Sequence, residues 1–151
     1  ILDSTDLTVH QLRARVREEF ALRAATDCMV VTFLSFGFKY GVPAEADLVF
    51  DARFLPNPNF VPRLRRLTGL DRPVQRWLDA HSETAAFRDK LASLLRWVLP
   101  RYLREGKSYL TVAVGCTGGR HRSVRLADAL ASKVPSGRYV VRTHHRDMRQ
   151  P

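Results

Sequence analysis

The sequence predicts an α/β domain in which helices flank a mainly parallel sheet, because short apolar segments alternate with amphipathic ones. Residues 28–36 form a continuous apolar run rich in β-branched residues, which is typical of a strand buried on both faces. Residues 109–143 have a strand–helix–strand pattern, which indicates a parallel pair joined by a right-handed crossover. The 151 residues, 45% hydrophobic and 26% charged, fit one packed domain and argue against general disorder.

The first 25 residues predict a linker helix that precedes a domain at 26–151. Its apolar residues recur at helical spacing, with charges between them: Val9, Leu12, Val16 and Phe20. A single apolar stripe leaves the rest of this helix in water, so it would connect to another domain or dock between subunits. Because the chain begins at Ile1 and not at Met, we expect it to be part of a longer protein.

Three more strands and three more helices follow from the apolar periodicity. The strands are expected at 48–50, 109–114 and 139–141. A short helix is expected to start at 71–73, a longer one to run from Ser82 to Gly106, and a third to lie at 124–134. Ser82 is expected to cap the long helix, Pro100 to kink its last turn and Gly106 to end it. The segment 54–60 is expected to be irregular, because its two prolines fix φ and lack an N–H donor.

The charge of the chain is strongly positive and unevenly distributed. Its net charge is +10, with 25 cationic residues of which 21 are arginines. Residues 1–60 carry a net charge of −2, whereas residues 61–151 carry +12. Such a field favours a polyanionic partner, a nucleic acid or a phosphorylated metabolite, although a bias of the genome towards arginine codons would give the same composition.

Several other classes of protein are disfavoured. Two cysteines do not make a disulfide scaffold, so a reducing, cytoplasmic setting is expected. The apolar runs are about half the length of a membrane span, so no membrane association is predicted. His144 and His145 would face opposite sides of a strand, and no other metal-binding spacing accompanies them, so no metal site is predicted.

The loop between the third strand and its helix is the best candidate for a site. It reads GCTGGRHRS over residues 115–123, and in open α/β sheets ligands bind where strands end and helices begin. Its glycines allow backbone amides to converge, and the helix dipole favours an anion there. Further donors are expected from the side chains of Thr117, His121, Arg122 and Ser123. The pattern predicts a phosphate site, and the alternative is a glycine-rich turn whose arginines reach solvent.

A second interpretation of the same loop is catalytic. Cys116, five residues and then Arg122-Ser123 match the Cys-x5-Arg-Ser signature of cysteine-dependent phosphatases. In such a loop the amides and the helix terminus would favour a nucleophilic thiolate. Asp51, at the end of a predicted strand, would then be the general acid.

Four motifs in order closely resemble the C-terminal domain of the RapZ family of RNase adapter proteins, also called the YvcJ family. They are SFGFKYG at 35–41, ADLVFDARFLPNP at 46–58, LTGLD at 67–71 and KSYLTVAVGCTGGRHRS at 107–123. The resemblance implies a fold similar to a phosphofructokinase subdomain. It also implies that residues 1–25 link this domain to an N-terminal nucleotide-binding domain with a Walker A motif, which is missing here. ATP or GTP binding and hydrolysis would belong to that domain, so this fragment would need no cofactor and would be no enzyme.

The resemblance also implies a regulatory role. In enterobacterial members of the family this domain senses glucosamine-6-phosphate, binds small RNAs and presents one of them to an endoribonuclease, and self-association as a dimer or tetramer is also implied. The ligand-binding residues would be Asp51, Asn59, Cys116, Thr117, Gly118, Gly119, His121, Arg122 and Ser123. At two of the family's positions this chain differs, because Asn59-Phe60 stands where the family has His-Trp.

The basic C-terminal tail is the predicted RNA contact. The family's compact Lys-Arg-Lys cluster is replaced here by arginines that are spread out: Arg138, Arg142, Arg146 and Arg149. Contact with RNA would be made mainly to phosphates, so it would weaken with salt. The alternative is a solvated edge strand that its charges keep soluble.

Overall fold

Four parallel strands organise the computed structural model, which describes residues 8, 9 and 28–150. The strands lie in the order β2-β3-β1-β4, and every pairing is parallel. Their bounds are Met29–Gly37 for β1, Leu48–Asp51 for β2, Tyr109–Cys116 for β3 and Tyr139–His145 for β4. The predicted α/β class with a parallel sheet is therefore confirmed.

The two strands of the predicted βαβ unit are parallel, but they do not pair with each other. Both β3 and β4 pair with β1, which lies between them. The reason is burial: β1 is apolar on both faces, as its sequence predicts, and an inner position in the sheet covers both of them. β4 alternates exposed and half-buried residues and lies at the edge, and it continues four residues past the predicted end at 141.

Three α-helices of at least eight residues lie within the described part of the chain. They are α1 (Arg72–Asp79), α2 (Ser82–Glu105) and α3 (Arg122–Ala131). The prediction that Ser82 caps α2 is wrong, because the extended residue before the helix is His81 and Ser82 is already helical. Gly106 ends α2 in a left-handed conformation (φ 95°), as predicted, because that conformation suits glycine. α3 begins at Arg122, two residues before the predicted start, so that the last residues of the loop form its first turn.

The main hydrophobic core lies between one face of the sheet and the two longer helices. Alternate residues of β1 and β3, such as Phe33 and Val112, pack against Leu95 of α2 and Leu126 of α3. A second, smaller cluster forms around Phe36 on the other face. Parallel strands whose carboxyl ends meet at one edge bring Gly37, Asp51 and Cys116 to the same side of the sheet.

The predicted linker helix at 1–25 lies outside the described residues, apart from Thr8 and Val9. It therefore stays a prediction. Within the described residues, no helix is both long and apolar enough to cross a membrane.

Candidate functional site

The glycine-rich loop is pressed against the end of β1. Gly119 has a positive φ of 73°, and a Cβ placed on it would lie 2.7 Å from the backbone N of Gly37 and 2.9 Å from Cβ of Asp147. Only glycine meets both conditions. Gly118 differs, because its φ is not positive and a Cβ there would meet only the Lys39 side chain, at 3.9 Å. The loop is thus packed on one side and open on the other.

The backbone N–H groups of residues 117–124 are the central feature of the site. None of them donates to an acceptor within the described residues. They include the first turn of α3, whose N–H groups have no partner in the helix and whose dipole is positive at this end. A row of such donors at a helix N-terminus is a site for an oxyanion.

A cavity of about 520 Å³ opens in front of these amides. Five of its lining residues are cationic, and none of the described residues that line it is a carboxylate. The full lining is Lys39, Asn57, Asn59, Arg65, Arg66, Cys116, Thr117, Gly118, Arg120, His121, Arg122 and Gln150. Six predicted ligand residues are therefore brought together there, whereas Asp51, Gly119 and Ser123 lie outside the lining.

Arg122 holds the wall of the cavity. Its guanidinium donates to the carbonyl oxygens of Arg53 (2.5 Å) and Leu55 (2.9 Å) and to Oγ1 of Thr117 (3.2 Å). The residue is only 5% exposed, and within the described chain its guanidinium forms no direct ion pair; the nearest balancing charge is the more distant Asp51 carboxylate, whose pKa it helps to lower. Since a buried cation without a direct counter-ion is unfavourable, an anion in the cavity would stabilise it further.

His121 is buried beside Arg122. Burial lowers the pKa of its imidazole below the ordinary value, although the carbonyl groups of Leu64 and Leu67 oppose that shift. Its Nε2 atom is buried and has no hydrogen-bond partner among the described residues. The ring is consequently neutral near pH 7, and the positive charge of this wall comes from arginine.

Asp51 lies at the end of β2, as predicted, but its carboxylate is already engaged. The Arg53 guanidinium donates to both of its oxygens, at 2.7 to 3.0 Å, and these hydrogen bonds hold the pKa of Asp51 below its ordinary value. Arg53 also lies over the Phe38 ring, 4.0 Å from its centroid. A carboxylate kept ionised in this way is poorly suited to donate a proton.

Cys116 lies at the end of β3, on the cavity wall. Its residue is 3% exposed, and its Sγ lies 3.2 Å from Oγ of Ser123, which is fully buried. The thiol and Arg122 thus share the cavity, but the predicted acid, Asp51, does not line it. The phosphatase interpretation stays a prediction, with no general acid in place among the residues that line the cavity.

The C-terminal tail is tied to the site by Asp147. Burial opposes ionisation of this carboxyl, but hydrogen bonds from Arg146 and from the N–H of Gly37 (2.8 Å) hold its pKa below the ordinary value. Arg146 also donates to the carbonyl oxygens of Tyr40 and Gly41. Its guanidinium therefore anchors the tail, whereas the other three arginines predicted for RNA, Arg138, Arg142 and Arg149, are exposed.

Sequence reasoning left part of this cavity unassigned. Arg65, Arg66, Arg120, Asn57 and Gln150 line it without having been predicted as ligands. Arg120 and Asn57 belong to two of the quoted motifs, whereas Arg65, Arg66 and Gln150 come from segments with no recognisable site motif. The cationic run at 63–66 is the sequence feature that could have indicated Arg65 and Arg66. No group of three or more histidine, cysteine or acidic residues is placed to hold a metal ion within the described part of the chain.

Comparison with known proteins identifies the relatives of this chain. The model of the RapZ C-terminal domain matches residues 29–149. A nucleotide-binding protein of Acidobacterium capsulatum is 49% identical over 148 residues, which cover 98% of this chain and 48% of the relative. Nucleotide-binding proteins of Heliobacterium modesticaldum and Moorella thermoacetica are 47% and 48% identical, and in each case 98% of this chain matches 49% of the relative.

The chain spans about half the length of these curated relatives. The matched region contains β1–β4, the glycine-rich loop and the tail up to Arg149. The chain therefore belongs to the RapZ C-terminal domain family of nucleotide-binding proteins.

Proposed function

We propose that this domain is a regulatory module that binds a sugar phosphate, similar to glucosamine-6-phosphate, in the loop cavity and binds RNA through its basic surface. The observation that carries the proposal is the row of N–H groups at 117–124, which find no acceptor within the described chain and five of which belong to residues that line a cationic cavity. A phosphoryl group supplies the charge and the acceptor oxygens that this arrangement lacks.

The phosphate would lie against the open side of the loop. Gly118 lets it approach the backbone closely, Thr117 offers a hydroxyl, and Arg122 supplies a charge that is in no direct ion pair within the described chain. Such hydrogen bonds to charged groups contribute about 1.5–3 kcal/mol each.

The sugar would lie towards the amide side chains of the cavity. Asn57, Asn59 and Gln150 present both donors and acceptors, which suit hydroxyl groups. An amino group has less support, because Asp51 lies outside the lining and is held by Arg53. Hydroxyl and phosphate recognition therefore dominate the proposed specificity.

Three exposed arginines, Arg138, Arg142 and Arg149, support RNA binding by the tail. Exposed guanidinium groups neutralise backbone phosphates with little base preference. In the longer protein, the domain would join a half that binds ATP or GTP, act on an endoribonuclease as an adapter, and self-associate as a dimer or tetramer. The relatives' name, nucleotide-binding protein, and their twofold greater length support the proposed second half.

Isothermal titration calorimetry tests the ligand proposal. We expect glucosamine-6-phosphate and glucose-6-phosphate to bind more tightly than sulfate or inorganic phosphate, and Thr117→Val to weaken binding about 5- to 20-fold through one lost hydrogen bond. Thr143→Val, on the exposed edge strand, is the matched control and should bind normally. Absence of heat with every phosphate and with sulfate would refute the proposal.

A further inference from the structure

A strip of arginines and aromatic rings leads away from the cavity across the segment between β2 and α1. This arginine–aromatic strip consists of Phe60, Arg63, Arg65, Arg66, Arg76 and Trp77. Arg65 and Arg66 line the cavity, and Arg65 also lines the next concavity with Asn59, Phe60 and Pro62. Arg63, Arg76 and Trp77 line a third concavity, of about 460 Å³. The first two concavities share Asn59 and Arg65, whereas the third shares no lining residue with them and is linked to them only through the adjacent residues 62–66 of the chain.

The cationic side chains of the strip are available. All four arginines are exposed, and within the described residues none of their guanidinium groups forms a hydrogen bond or an ion pair. The sequence has no acidic residue between Asp51 and Asp71. Asp71 itself accepts from the backbone N and the hydroxyl of Thr68. The positive charge is therefore not neutralised by the protein.

Of the two aromatic members, only Phe60 is presented to solvent. Phe60 is 81% exposed, and it ends a 3₁₀ turn (Pro58–Phe60) that Asn57 caps by accepting from the N–H of Asn59. Trp77 is half-buried and packs against the His81 ring, with centroids 4.4 Å apart. An exposed ring on a fixed turn loses little entropy when a planar group stacks on it.

Unpaired guanidinium groups beside an exposed ring, here Phe60, are a combination that binds single-stranded nucleic acid. The cations follow the phosphates, and each stacked base contributes about 1–3 kcal/mol. A duplex satisfies only the first requirement, because its bases already stack on one another. Arg63, Arg76 and Trp77 line a concavity that shares no residue with the sugar-phosphate cavity. Binding of a sugar phosphate therefore does not account for this part of the strip.

We propose that the arginine–aromatic strip binds single-stranded RNA, with phosphates on its arginines and a base on Phe60. The proposal rests on the proposed RNA partner, but it assigns the contact to residues 60–77, a surface separate from the C-terminal tail. It predicts a preference for single strands that the scattered arginines of the tail do not provide.

Fluorescence anisotropy with a labelled 12-nucleotide RNA, single-stranded or annealed to its complement, tests the charge of the strip. We expect Arg63→Ala/Arg65→Ala to weaken single-strand binding at least 10-fold and to reduce the slope of log K against log salt by about 1.4, the value for two phosphate contacts. Arg96→Ala/Arg104→Ala, two exposed arginines of α2, removes the same charge and should leave both values nearly unchanged.

Phe60→Ala tests the stacking. It should weaken single-strand binding about 5-fold or more, leave the salt slope and the duplex affinity unchanged, and be rescued by Phe60→Trp. Tyr109→Ala, which removes a ring that is 73% exposed on β3, is the control.

The outcomes separate the two proposals. If the wild-type domain binds no RNA, the RNA part of the proposed function fails together with the strip. If it binds RNA but the strip variants match their controls, while Arg142→Ala/Arg149→Ala abolishes binding, the strip proposal alone is overturned. Equal affinity for single-stranded and duplex RNA would overturn it as well.

Discussion

Two groups of arginines border the same cavity, and the fold treats them differently. Arg120 and Arg122 donate to backbone carbonyl groups of the segment 53–67, so their positions are fixed before any ligand arrives. Arg65 and Arg66 line the same cavity from an exposed segment, and no described residue accepts from their guanidinium groups. The first pair supports both structure and binding, whereas the second pair is available for binding alone. Substitutions should therefore separate stability from affinity.

Arg122→Ala should have the largest effect. It leaves the buried carbonyl oxygens of Arg53 and Leu55 without donors, which costs about 2–4 kcal/mol of unfolding free energy. Urea unfolding followed by circular dichroism measures this change. Arg66→Ala, on the exposed side of the cavity, should change stability by less than about 0.5 kcal/mol while still weakening sugar-phosphate binding. Equal destabilisation by the two variants would contradict the claim that Arg122 supports the fold whereas Arg66 serves binding alone.

The two adjacent glycines of the loop should separate stability from affinity in the same way as the two groups of arginines. Gly119→Ala adds a methyl group to a residue with positive φ and against Gly37, so we expect a loss of about 1–3 kcal/mol in unfolding free energy. Gly118→Ala adds the same group towards the open side, where its nearest neighbour is 3.9 Å away. It should fold normally and lose sugar-phosphate affinity at least 10-fold. Unimpaired binding by Gly118→Ala would show that the phosphate does not lie on this loop.

Asp147 links the tail to the packed side of the loop, and its contribution to the free energy of unfolding should depend on pH. Because its pKa is lowered in the folded state, the stabilisation is present above the unfolded value of about 3.9 and is lost as pH falls through the folded pKa. Asp147→Asn should cost about 1–2 kcal/mol at pH 7 and much less near pH 3. Thermal unfolding of both proteins across pH 3–7 measures the difference, and a difference that does not change with pH would contradict this account.

The sequence predicted the elements that depend on local patterns. The parallel class, the buried strand β1 and the helix stop at Gly106 follow from apolar runs and from the conformational freedom of glycine, and all three are confirmed. The position of β1 between β3 and β4 was not predicted, because periodicity contains no information on strand order.

The lining of the cavity was predicted mainly where its residues belong to one loop; Asn59, from the segment after β2, is the exception and was expected only from the resemblance. Cys116, Thr117, Gly118, His121 and Arg122 line the cavity because they are consecutive or nearly so. The other residues contributed by distant segments escaped prediction, since no local pattern shows that the exposed run at 63–66 packs beside the loop. The sequence also does not reveal that the Asp51 carboxylate pairs with Arg53, two residues away. This ion pair argues against a role for Asp51 as a general acid.

Cys116→Ser should have the smallest effect, and it tests whether the site is catalytic. The substituted hydroxyl retains a partner in Ser123 Oγ, so we expect a change in stability of about 1 kcal/mol or less and nearly unchanged phosphate binding. Neither the wild-type protein nor the variant should hydrolyse phenyl phosphate, whose poor leaving group needs a proton donor, above the buffer rate, because Asp51 stays ionised by its contact with Arg53 and does not line the cavity. Hydrolysis by the wild type that disappears in Cys116→Ser would establish the phosphatase mechanism instead. Asp51→Asn would then show whether that carboxyl supplies the proton, since a true general acid would lower turnover of poor leaving groups more than of p-nitrophenol.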